Sequence, residues 1–451
     1  MSCKKRAFIF ALILSLLAGL ILLPACTISG DDDDDNDSAD DDTGDDDSGD
    51  DDSSDVNDCF NPPTEPPPGH YIPIGAWYHW FEATGDEAID REYYQTTFAE
   101  LAAHGIDLLV TTFVPPANRI WLLEEAEEQR IKVIMDMREM TVLVGSPVPI
   151  NQAEADQLAE ELTAPIRDMP ALFGYYIADE PGMHGFLPEN LGIAREAFEK
   201  ADPEHSLFSC FFLWYLMGKY FKAMQPDILL TDIYPIDYET IPEDFINGWH
   251  IHLFQFLLRN AWRVAGGKPA WMVTQAFSAP TTWRMPIFEE LRALTYLALN
   301  QGFTGIIYFC YQSVVDGYGY VITGLVDFDG QHTENYERMS EFHQELEPVK
   351  TALMWSEPVD AIIQAPEPFD LAMFRHQLGF HYVMAVNKDV LNPRTGIFEI
   401  PVHLLPNVEA IFDEASGAAL PFENAGDVVR FSWTLNPGDG RMFRICTGEA
   451  R

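Results

Sequence analysis

Two adjacent acids, Asp179 and Glu180, end the stretch Leu172–Pro181, which reads Leu-Phe-Gly-Tyr-Tyr-Ile-Ala-Asp-Glu-Pro. The residues before them are aromatic, aliphatic and β-branched, the composition of a buried parallel strand, and Pro181 stops it. Carboxylates at the carboxyl end of such a strand stand where barrels and open α/β sheets do their chemistry. A carboxyl held there among Tyr176, Tyr234 and Tyr308 is partly desolvated, which raises its pKa toward the range a general acid needs. The same two acids would serve equally well to cap the next helix or to solvate a loop, so the rest of the chain has to decide.

A third acid, Asp232 in Asp-Ile-Tyr-Pro at 232–235, ends another strand-like run. The ends of the remaining runs carry Trp77, Tyr78, His79, Asp136, Tyr234, Gln275, Tyr308 and Tyr311. Acids and amides pair with hydroxyl groups, and aromatic rings stack on the apolar faces of sugar rings. Together these residues predict a pocket for a neutral, polyhydroxylated ligand. Each aromatic taken singly reads as core packing; their recurrence at one end of the strands is what points to a pocket. No Gly-rich phosphate loop follows a strand, no Gly-x-Ser-x-Gly elbow occurs, and no His or Cys spacing matches a metal site. Neither a cofactor nor a metal is expected.

The elements that must position these residues alternate in type. Strands are predicted over 72–78, 106–113, 131–137, 172–179, 207–212, 228–234, 269–275 and 305–311, each followed by a helix-like segment. Eight such units predict an α/β fold, a (β/α)8 TIM barrel over 70–353, with an open doubly wound sheet as the runner-up. Beyond it, short alternating segments at 381–386, 397–401 and 428–433, separated by Asn, Gly and Pro, predict a small all-β sandwich over 354–451.

The chain ahead of the barrel has a different character. Residues 1–26 read as an export signal: Lys4, Lys5 and Arg6, an apolar run from Ala7 to Leu23, then Pro24-Ala25-Cys26. A transmembrane anchor is the alternative, disfavoured because the run is short for a span and Ser15 and Gly19 interrupt it. Residues 27–69 are Asp-rich, then Pro-rich, and predict a disordered linker. The Asp spacing is too irregular for a calcium loop. Seventeen Asp and no Lys or Arg fall between residues 31 and 58, within a chain of net charge −45. With that tail and the three N-terminal bases set aside, 55 acids still face 24 bases, which argues against nucleic acid or another anionic polymer as partner. Cys59 and Cys446 flank the folded part and could pair in an oxidising compartment, whereas Cys210 and Cys310 fall in predicted strands as buried thiols.

Two resemblances sharpen these expectations. Leu23-Pro24-Ala25-Cys26 resembles the lipobox of bacterial lipoproteins, which implies lipidation at Cys26; Thr27 in place of Asp resembles those sent to the outer membrane or cell surface. Ala178-Asp179-Glu180-Pro181 on the fourth strand resembles the large clan of (β/α)8 glycoside hydrolases, β-galactosidase-like and cellulase-like, whose fourth strand ends in Asn-Glu. That resemblance implies Glu180 as the acid/base. The clan's seventh strand ends in a nucleophilic Glu, whereas here Trp271-Met272-Val273-Thr274-Gln275 ends in an amide. The second catalytic group is then either Asp232, as nucleophile or base, or a 2-acetamido group of the substrate oriented by Asp179, since the Asp179-Glu180 pair also resembles that of hexosaminidases. The expectation is an exported, lipid-anchored glycoside hydrolase acting on a neutral oligo- or polysaccharide and touching the membrane only through its anchor. The alternative is a glycan-binding lipoprotein that keeps the barrel and does no chemistry.

Overall fold

The computed structural model describes residues 59–79, 86–246, 248–315, 319–359, 363 and 365–448. All of them belong to one compact unit, Asn57–Arg451. The expected signal, the lipidation site Cys26 and the acidic run lie outside the described residues.

Eight parallel strands close in sequence order: β1 (Ile74–His79), β2 (Leu108–Thr112), β3 (Lys132–Asp136), β4 (Leu172–Asp179), β5 (Ser206–Cys210), β6 (Leu229–Ile233), β7 (Ala270–Gln275) and β8 (Ile306–Phe309), with β8 pairing back onto β1. The helices around them are α1 (Glu87–Ala103), α2 (Arg119–Glu128), α3 (Arg138–Val144), α4 (Gln152–Thr163), α5 (Pro188–Ala201), α6 (Trp214–Met224), α7 (Trp249–Ala265), α8 (Phe288–Asn300) and α9 (Glu334–Met354). The strands are apolar on both faces because both are covered. One face fills the barrel and the other meets the helices. Trp77, Val110, Ile134, Tyr176, Phe208, Trp271 and Ile307 form the inner packing. Tyr78, Leu109, Met135, Tyr175, Met272 and Tyr308 belong to the outer layer.

Local chemistry sets the element ends. Asp86 accepts from the Ala88 amide to start α1, and Asn151 accepts from Ala153 to start α4. The sequence gives no sign of the short α3, because seven residues span under two turns, too few for a helical period to be read. The two-residue strands β9 (Val314–Val315) and β10 (Val321–Ile322) were missed for the same reason of length.

β4 is shaped to deliver its two acids. A side chain at Gly174 would collide with the Ser206 carbonyl and the Phe208 ring, so glycine lets β4 and β5 approach. Further along, the β4–β5 register shifts between Tyr176 and Ala178, a bulge that re-aims the end of the strand. The chain then turns at Glu180 with φ +38°, in the left-handed region, where its amide donates to the Cys210 carbonyl at 3.0 Å. A non-glycine residue rarely sits there unless its surroundings impose it, and such positions cluster at functional sites.

After α9 the chain forms two antiparallel sheets. One has the order β11 (Ser356–Val359), β12 (Phe369–His376), β13 (His381–Asn387), β18 (Gly440–Thr447), β15 (Val408–Asp413); the other is β14 (Arg394–Pro401), β17 (Val428–Leu435), β16 (Phe422–Ala425). A shared core of Phe369, Val383, Phe398, Phe431 and Phe443 lies between them. α8 is buried almost throughout because this β layer covers the side away from the barrel. Arg292 pairs with Asp439 at 2.7 Å and Asn300 donates to Asp370 at 2.7 Å across that contact. A disulfide joins Cys59 to Cys446, and Cys210 and Cys310 are buried free thiols.

Candidate active site

The acids of β4 and β6 meet at the carboxyl end of the barrel. Strands two apart in a sheet are about 10 Å apart, but both side chains reach inward and close that gap. Glu180 and Asp232 hydrogen-bond to each other. Two carboxyls in contact hold one proton between them. Burial, followed by the charges of Asp232 and Asp179, raises the Glu180 pKa well above the carboxylate range. Asp232 is also raised by its burial, opposed by hydrogen bonds from Glu180, the Cys210 thiol (Sγ to Oδ1, 3.3 Å) and Tyr234. Glu180 is therefore protonated at neutral pH, and the pair titrates as one unit.

Asp179 stands beside this pair, and the Tyr176 hydroxyl donates to its Oδ1 at 2.6 Å. Desolvation and the charge of Asp232 lift its pKa to about 6. Asp179 is exposed to solvent at the carboxyl end of β4. Asp136 ends β3 with Oδ2 accepting from the Phe113 amide at 2.7 Å, and burial raises it to about 6. Asp136 is near enough to Asp179 to raise that pKa by its charge.

Aromatic rings wall the acids. Trp77 meets Tyr176 edge-on at 5.2 Å and Phe309 at 5.6 Å, and Tyr234 packs against Phe277 at 5.0 Å and Phe309 at 5.8 Å, with Trp283 closing the group at 6.0 Å. His79 shares this wall, 5.9 Å from Phe309. Its Nδ1 lies 2.7 Å from Thr112 Oγ1, while Nε2 is buried with no partner among the described residues. Burial lowers its pKa to about 4, so the ring is neutral.

Four expected site residues stand elsewhere. Tyr78 points outward and stacks on Tyr311 at 5.9 Å against Tyr94 and Phe98 of α1. Tyr311 also packs on Tyr336 of α9, and the Tyr308 hydroxyl lies 3.2 Å from His343 Nε2 in the same layer. Successive residues of a strand face opposite sides, so a site assigned to Trp77 denies it to Tyr78. Gln275 is wholly buried: its Oε1 accepts from the Ile236 amide at 3.0 Å, and its Nε2 donates to the carbonyls of Ile236 and Arg284 at 2.8 and 3.0 Å. It ties the β6 and β7 loops together and has nothing left for a ligand. Sequence reading missed Cys210 as the neighbour of Asp232 and passed over Phe309 and Trp283 as parts of the wall. Strand alternation carried the signal for Phe309; nothing local marked Trp283, which lies in a loop.

Acids walled by Trp, Tyr and Phe at the carboxyl end of a (β/α)8 barrel match sugar chemistry, and one family comparison points the same way. A family profile described as Glyco_hydro_42, beta-galactosidase, matches residues 187–349, which include Asp232 and Gln275 but not Asp179 or Glu180. Over those residues the chain is similar to a β-galactosidase family of glycoside hydrolases. Among solved structures, a family 5 glycoside hydrolase from Bacteroides vulgatus is similar over 84% of this chain and 92% of its own, at 10% identity and TM-score 0.52. A family 27 β-L-arabinopyranosidase from Geobacillus stearothermophilus is similar over 84% and 98%, at 10% identity and TM-score 0.51. At that identity they speak to the barrel fold alone. No curated protein matches the chain by sequence.

Proposed function

We infer that this chain is an exported, lipid-anchored glycoside hydrolase in which Glu180 is the general acid/base and Asp232 its carboxylate partner. The observation that carries the reading is the Glu180–Asp232 contact at the mouth of the barrel, an arrangement in which two carboxyls share one proton. A pair of that kind supplies an acid and a base side by side. Glu180, protonated at neutral pH, gives its proton to the glycosidic oxygen as the bond breaks. Asp232, left as the carboxylate, attacks the anomeric carbon or takes a proton from the attacking water. A sugar entering between the acids sets the outcome: a separation of about 5 Å gives retention and about 6.5–9.5 Å gives inversion. Three carboxyls crowd this point, so the sugar being cleaved is neutral. The aromatic wall is dry enough to keep the proton on Glu180 and apolar enough to hold a pyranose face.

A second route draws support from Asp179. Solvent reaches it, and Tyr176 holds it in one orientation, as needed to steer a 2-acetamido group of the substrate onto its own anomeric carbon. Asp179→Asn assayed with and without that group separates the routes: a loss confined to acetamido substrates favours the assisted one, and indifference removes it.

Screening a glycan panel for released reducing ends tests the hydrolase reading. Wild type should cleave at least one glycan, Glu180→Gln should lose about two to four orders of magnitude, and Asp232→Asn a comparable amount. A chain that retains a glycan and releases nothing is a binder instead. Anchoring at the outer membrane rests on the sequence around Cys26. Labelling with a fatty-acid analogue should mark wild type and not Cys26→Ser, and equal label in both would refute the anchor.

A further inference from the structure

Phe113 is the one aromatic among the described residues in the left-handed region. It follows β2 directly, its φ is +65°, and the residue is 52% exposed. A bulky side chain in the left-handed region is strained, and an exposed ring recovers little by burial. Two contacts nonetheless hold it. Asp136 Oδ2 accepts from its amide at 2.7 Å, and the Arg138 guanidinium lies over the ring, Cζ 4.6 Å from the centroid. Arg138 is itself exposed and, among the described residues, makes no salt bridge, although its charge is felt at Asp136. By contrast Arg119 nearby is buried and bonded to Glu139 at 2.7 Å. The carboxylate that steadies Phe113 also senses Asp179, so ring and guanidinium stand one strand over from the acids of β4.

A strained aromatic presented to solvent beside the acids, with an exposed cation that makes no salt bridge and neighbours an Asp136 whose Oδ2 accepts from the Phe113 amide, suits a ligand with an apolar face and a negative group. We propose that Phe113 and Arg138 form a subsite for an anionic sugar, a uronate or a sulfated residue, next to the neutral sugar that is cleaved. The pyranose lies against the open side of the Phe113 ring, and the guanidinium donates paired hydrogen bonds to the carboxylate or sulfate. The acidity of the protein as a whole does not forbid this, because charges more than about 8 Å away are largely screened at physiological salt. The inference rests on the glycoside hydrolase reading and narrows it to a glycan that alternates or branches between neutral and charged residues.

Binding and cleavage test it separately. Calorimetry on Glu180→Gln protein would use uronate-bearing oligosaccharides, their carboxyl-reduced twins and their sulfated counterparts. An anionic member should bind about tenfold more tightly than its neutral twin. Arg138→Gln should erase that preference by weakening the anionic member far more than its neutral twin, with Arg138→Lys restoring part of it. Phe113→Gly, which tolerates the backbone angle, should weaken charged and neutral ligands alike by about five- to tenfold. Preference for uronate over sulfate, or the reverse, identifies the source of the charge. Equal binding of charged and neutral twins, or a preference that survives Arg138→Gln, overturns the subsite. Wild type that cleaves neutral glycans with no such preference overturns the subsite and leaves the hydrolase standing. Arg138-dependent binding without cleavage by wild type does the reverse.

Discussion

Glu180 is a residue that function keeps at the expense of stability. Its folded pKa is raised above the value it has in an unfolded chain, near 4.3, by burial and by Asp232 and Asp179. A carboxyl raised in this way gives its full stabilising contribution below the unfolded value and loses it as pH rises through the folded one. Glu180→Gln removes the penalty because the amide has no charge to suppress. The variant should therefore melt above wild type at pH 7, by the equivalent of about 1–3 kcal/mol, and converge with it near pH 4. Thermal melts at the two pH values check this; a variant less stable at pH 7 would show that the carboxyl is not suppressed. The three acids were legible in the sequence because they end apolar strands. Tyr78, Tyr308 and Tyr311 face the helices because alternation along a strand, not ring type, decides which side a residue takes. The strain at Phe113 was not legible at all, since it arises from Asp136 and Arg138 in the next unit.

At the scale of elements, the decisive difference from the clan lies in β7. The place of a nucleophilic Glu holds Gln275, whose amide knits the β6 and β7 loops together. Gln275→Glu should not restore an activity, because a carboxylate would face the carbonyls of Ile236 and Arg284 with no proton to offer. It should cost about 2–4 kcal/mol and slow hydrolysis by shifting the β6 loop that carries Tyr234. A stable Gln275→Glu protein with raised kcat would instead identify β7 as the dormant seat of catalysis. The eight barrel strands were legible as eight apolar runs of similar length. The bulge in β4 and the short α3 were not, because a register shift and a seven-residue helix leave no periodic trace.

For the whole molecule, the Cys59–Cys446 bond ties the first described residue to the last strand, β18. Closing a loop across 387 positions restricts the unfolded chain, worth about 2–4 kcal/mol. Reductant should lower the melting temperature of wild type and leave a Cys59→Ser, Cys446→Ser double variant unmoved; a wild type indifferent to reductant would contradict this. Sequence left that pairing open because it depends on how the chain ahead of the barrel sits on the β sheets. Phe60 packs edge-on against Phe412 of β15 at 5.7 Å, which sets Cys59 beside the β15–β18 pair that carries Cys446.

The central claim is that Glu180 protonates the leaving group, and one comparison tests it most directly. Once a glycan panel has given the sugar, kcat/KM for wild type and Glu180→Gln is measured on glycosides of that sugar with leaving groups of increasing pKa. A missing acid matters little when the leaving group departs unaided and greatly when it needs a proton. The account predicts near-normal rates for Glu180→Gln on activated aryl glycosides and a loss of about two to four orders of magnitude on the natural glycan. A loss of the same size on every leaving group, or none on any, would contradict it.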